Sequence, residues 1–119
     1  MKLKFVLVLM LLGVFGCSDP IDIPNFDEEA WKKDVQGCSG TRQQLIDNLM
    51  LSKEELKGLN SSQIAAILGK PNITELAARN QKYYIYHVSG ADACKESTTT
   101  SRLSIRFNAV GLSYEVLLL

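Results

Sequence analysis

The 119-residue chain predicts an α+β fold of two layers, with helices packed on a three-stranded antiparallel β-meander. Three observations predict it. Helix-starting residues recur between Thr41 and Leu68, and Gly69 with Pro71 closes that run. From Tyr83 onward the residues turn aromatic and β-branched, the composition of strands. Arg102 to Asn108 then alternates polar with apolar, the period of a strand buried on one face.

The first element is an address rather than a part of the fold. Lys2 and Lys4 flank the start of Phe5 to Phe15, an apolar stretch of 11 residues without a charge. A membrane-spanning helix needs about 20 such residues, so this length fits the core of a signal peptide. Leu12-Gly13-Val14-Phe15-Gly16-Cys17 resembles the lipobox of bacterial lipoproteins, although Phe15 is bulkier than the usual residue there. The resemblance implies a signal peptide over 1–16, cleavage before Cys17, and diacylglycerol on that thiol. Two or more acyl chains hold a protein stably on a membrane. The alternative is an ordinary secretory signal with a chance cysteine. Ser18, directly after Cys17, resembles the sorting residue of outer-membrane lipoproteins and leaves periplasmic or surface display open.

Residues 17–26 contain Asp19, Pro20, Asp22, Pro24 and Asn25, and read as a tether that spans roughly 30 Å when extended. The domain is then expected over 27–119. Asp27 caps a short helix, and Glu28 and Glu29 in its first turn complement the helix dipole. Trp31 is either a core anchor or an exposed partner contact. Gly37 and Gly40 end that helix.

Thr41 to Gln44 reads as a capping box that opens a helix with Leu45, Ile46, Leu49 and Met50 as its apolar positions. Ser52 to Glu55 repeats the box, with Leu51 and Leu56 as a staple. The third copy pairs Asn60 with Gln63 and staples Leu59 to Ile64; Ile64, Ile67 and Leu68 then share one face. Tyr83 to Val88 is a strand apolar on both faces. Ser89 to Ser101 is a loop. Leu103, Ile105 and Phe107 mark the buried face of the next strand, and Leu112 to Leu119 forms the last.

Composition excludes several classes of function. The chain carries 13 basic and 13 acidic residues, and loss of Lys2 and Lys4 leaves a charge of about −2. Binding of nucleic acid needs a basic surface that this balance does not supply. Cys38 and Cys94 remain once Cys17 is lipidated. In an oxidising envelope they predict a disulfide, worth about 4 kcal/mol for a loop of that length. Free structural thiols, a zinc site and a thiol nucleophile beside His87 are the alternatives. Zinc needs three or four ligands at a recognisable spacing, and catalysis needs a positioned base. No nucleophile elbow or phosphate-binding glycine loop occurs. The expectation is a protein without catalytic residues, metal, cofactor or small-molecule substrate.

Several of these segments together resemble one family. Leu59 to Pro71 (L-N-S-S-Q-I-A-A-I-L-G-K-P) is similar to the helix of the BamE/SmpA/OmlA outer-membrane lipoproteins, which ends in L-G-x-P. Tyr83 to Tyr86 resembles that family's aromatic first strand. Leu103-x-Ile105-x-Phe107-Asn108-x-x-Gly111-Leu112 resembles its closing hairpin. The likeness spans about Arg42 to Val116 and includes the lipoprotein signal. It implies two helices on a three-stranded antiparallel sheet, a form also seen in β-lactamase-inhibitor-like proteins. Ser18 to Pro24 lacks the Gln-Gly of the family's Y-x-P-D-I-x-Q-G tether.

The function expected is that of a scaffolding or protein-interaction lipoprotein of the outer membrane, bound to the membrane through Cys17 and to another envelope protein. Trp31, Tyr83, Tyr84 and Tyr86 are the candidate partner contacts, and for the tyrosines simple packing beneath the helices is the competing reading. An inhibitor or immunity-type lipoprotein is one alternative. An accessory subunit of the outer-membrane protein assembly machinery is another.

Overall fold

The structure, a computed structural model, describes residues 21–91, 94 and 100–119. Cys17 and the signal expected over 1–16 lie outside the described residues. Within them, helices α1 (Glu28–Lys33), α2 (Thr41–Leu51) and α3 (Ser61–Leu68) precede strands β1 (Ile73–Ala77), β2 (Gln81–Ser89), β3 (Ser101–Phe107) and β4 (Ser113–Leu118). The strands form one antiparallel sheet in the order β1-β2-β3-β4. This is the α+β class read from the sequence, with one strand more than the three expected. β1 is the addition. It is an edge strand whose Thr74, Glu75 and Leu76 are all exposed, so it carries no apolar alternation. Its turn to β2 uses Arg79 and Asn80 at positive φ, where the usual sequence signal is glycine.

Each helix start has a local cause, and two differ from expectation. Asp27 accepts from Ala30 N at 3.1 Å and caps α1 as read. Asn60 and Gln63 complete the reciprocal box of α3, each bond at 2.9 Å. Thr41, by contrast, is the first residue of α2 and does not cap it; Gly40 does, in a left-handed conformation without a side-chain bond. The missing acceptor comes from the preceding turn. Asp34 takes the amide of Arg42 on Oδ2 and that of Ser39 on Oδ1, both at 3.1 Å. The Ser52 box is also absent. Lys53–Leu56 is a 3-10 turn, Ser52 makes no side-chain cap, and Leu51 is 85% exposed, so it staples nothing.

The core lies between the helices and one face of the sheet. Trp31, Leu49, Ile64 and Leu68 meet Tyr86, Leu103, Ile105 and Phe107, all of them fully buried. The register places Tyr84 opposite Ile105 and Tyr86 opposite Leu103, so this face is apolar across strands. Part of the expected tether belongs here as well. Ile23 is 3% exposed, and Ile21 and Phe26 pack against the core, so the folded domain begins within 17–26 rather than after it. Ile21, Ile23 and Phe26 supply the apolar area that seats this irregular stretch on the core.

Ser113 ties the helical half to the sheet. Its Oγ accepts from Leu59 N at 3.0 Å and donates to Leu56 O at 2.5 Å. Its backbone exchanges further bonds with Gly58 and Leu59. The segment before α3 thereby covers the start of the β4 edge.

Candidate functional site

The sequence-derived candidates separate into three environments. Cys38 and Cys94 are joined in a disulfide, with Cα atoms 5.2 Å apart, so neither is a free nucleophile. The bridge fastens the α1–α2 turn to the loop after β2. Trp31 and Tyr86 are fully buried and offer no surface to a partner. Tyr84 is half-buried, with its ring edge-on to Phe107 at 4.9 Å between centroids. Tyr83 is the one aromatic candidate that the strand turns away from the helices.

Trp31 and Tyr86 serve a structural centre that sequence reasoning missed. Arg42 is 2% exposed, and its guanidinium lies 4.9 Å from the Trp31 ring centroid and 6.0 Å from that of Tyr86. Its Nε donates to Trp31 O at 3.0 Å; one terminal nitrogen donates to Asn72 Oδ1 and His87 O, each at 2.9 Å. Asn72 also accepts from His87 N at 2.8 Å and donates to Val35 O at 2.6 Å. One buried cation thus ties α1, α2 and the start of β1 to β2. Burial lowers the Arg42 pKa, against the opposing pull of Asp34 and Tyr86. At Asp34, burial favours the neutral acid. Hydrogen bonds from Arg42 and Ser39, with the Arg42 charge, outweigh it and hold the carboxyl below its usual range. Burial, and then Tyr84, push the Tyr86 phenol up, so it stays neutral and donates to Gly69 O at 2.8 Å. No local signal marks a charge that only the fold buries.

Among the described residues no helix packs on the sheet's other face, and here the polar side chains gather. Tyr83 and Arg106 are register partners across β2 and β3. The Arg106 guanidinium carbon lies 5.2 Å from the Tyr83 ring centroid and 5.5 Å from that of Tyr114. Gln81 Oε1 accepts from Arg106 Nε at 2.8 Å and from the Tyr114 hydroxyl at 3.1 Å. Tyr114 reaches this cluster because the β3–β4 register shifts there: Arg106 pairs with Glu115 and Phe107 with Ser113. A bulge of this kind re-aims a side chain. Ile85 and Ser104, also register partners on this face, are buried at its floor. Arg102 and Leu117 are exposed beside them.

The sheet is thus covered by helices on one side and carries an aromatic and charged cluster on the other. The family model for the outer membrane protein assembly factor BamE domain matches residues 50–116, more than half of the chain. The chain belongs to that family. The match begins at the end of α2 and runs into β4, so α1 and Cys38 lie before it. The comparisons with curated proteins and with solved structures gave no match.

Proposed function

We propose that this chain is an outer-membrane lipoprotein, cleaved before Cys17 and lipidated there, that acts as a non-catalytic interaction module in outer-membrane protein assembly. Membership of a family described as assembly factors carries the reading. The open sheet face supports it, because it offers rigid aromatic area and oriented polar groups to a partner while the other face is occupied by the helices. With Ile21 already packed on the core, only 18–20 separate the lipidated cysteine from the fold, about 14 Å from Cys17 at full extension. The domain therefore works close to the membrane surface.

The test is the content of β-barrel proteins in outer membranes of cells lacking the chain. That content falls, wild-type protein restores it, and Cys17→Ser, which keeps the domain but loses the anchor, does not. Unchanged barrel content in the lacking strain contradicts the proposal.

A further inference from the structure

We infer that Arg106 is a carboxylate-binding anchor on the open sheet face, and that the partner presents an Asp or Glu side chain to it. This rests on the interaction-module reading above and names the chemistry of the contact. The guanidinium has five N–H donors in a planar fork. Nε is committed to Gln81 at 2.8 Å, and among the described residues no acceptor is hydrogen-bonded to either terminal nitrogen. The Tyr83 and Tyr114 rings, 5.2 and 5.5 Å from the guanidinium carbon, hold its position. Gln81 fixes its orientation through Nε. Four donors are therefore left in a preset plane, the geometry that a carboxylate meets with two parallel bonds.

The charge of the surroundings decides between ligands. Glu115 is the register partner of Arg106, and Glu75 that of Tyr83, so both acids share this face. The ion pairs among the described residues are Lys32–Glu29 and Lys57–Glu54, so neither acid is in salt-bridge contact with Arg106. Two acids beside two arginines leave this face with no net charge, so it has no net attraction for a uniformly anionic surface such as a bilayer of acidic lipid. A protein surface of mixed charge can set a carboxylate on Arg106 and basic groups near Glu75 and Glu115. The occupant is thus a protein.

The experiment uses the full lipoprotein in its own membranes. Arg106→Lys places a primary amine where the guanidinium stood, and a water-soluble carbodiimide joins such an amine to a carboxylate it touches. Peptide mapping by mass spectrometry then locates the bond. The expected product joins position 106 to an Asp or Glu of another membrane-associated protein, with Arg102→Lys giving no such product. In the same membranes, Arg106→Gln lowers recovery of that protein about tenfold, the effect of removing an anchoring residue, with thermal unfolding still cooperative. Coupling confined to Glu115 or Glu75 of the chain itself, coupling to lipid phosphate, or recovery unaffected by Arg106→Gln overturns the inference. If wild-type protein still restores barrel content in those cases, the assembly role stands without it.

Discussion

Gly37 shows how much one residue carries. Its φ is +70°, and a Cβ there would meet His87 O at 2.8 Å and Val88 O at 2.9 Å, backbone atoms that cannot swing aside. Gly40 shares the left-handed conformation, at φ +83°, but a Cβ there meets nothing within 4 Å. Gly40→Ala is expected to cost about 1 kcal/mol, and Gly37→Ala about 2 kcal/mol or more, read from urea unfolding midpoints. Asp34 has its own signature. Its folded-state pKa lies below the unfolded value of about 3.9, so its contribution is complete above that value. The contribution is lost as pH falls through the depressed folded-state pKa. The stability gap between wild type and Asp34→Asn should be flat from about pH 5 upward and shrink below about pH 4 in acid titrations of stability. Sequence reading identified Gly37 as a helix breaker, which its conformation permits, but the contact with β2 is a property of the assembled fold. The same applies to Arg42 and Asn72, whose partners stand 30 and 45 residues apart from Arg42 along the chain.

Elements were legible in proportion to how locally they are determined. α3 carries cap, reciprocal partner, apolar face and stop within its own sequence, and it formed as read. β3 alternates within seven residues and did likewise. α2 is capped from outside its own sequence by Asp34, and β1 exists because β2 offers it an edge, so neither cause was visible locally. The bridge between Cys38 and Cys94 acts at this scale as well. It closes a separation of 56 residues, for which the chain-entropy relation gives about 4 kcal/mol. Replacing both cysteines by serine is expected to lower stability by up to that amount in denaturant titrations, and adding a reductant to the wild type should give the same loss. Equal midpoints with and without reductant would show that the bridge contributes nothing.

For the whole molecule, the division of the sheet into a covered and an open face decides what is available for function. Trp31 and Tyr86 looked like candidate contacts because aromatic residues suit both cores and interfaces; the helices take them for the core. Tyr83 lies on the opposite face through the alternation of β2. Arg106 joins it through the register and Tyr114 through the bulge, and neither was legible as a site because strand pairing sets both. Family membership supports the proposed role in outer-membrane protein assembly. The most direct measurement of that role is affinity capture of the tagged lipoprotein from detergent-solubilised membranes, quantified by mass spectrometry against Cys17→Ser. Co-recovery of outer-membrane assembly components with the wild type, and their loss with Cys17→Ser, is the predicted result. Recovery of a single soluble enzyme, or of nothing beyond an untagged control, would contradict it.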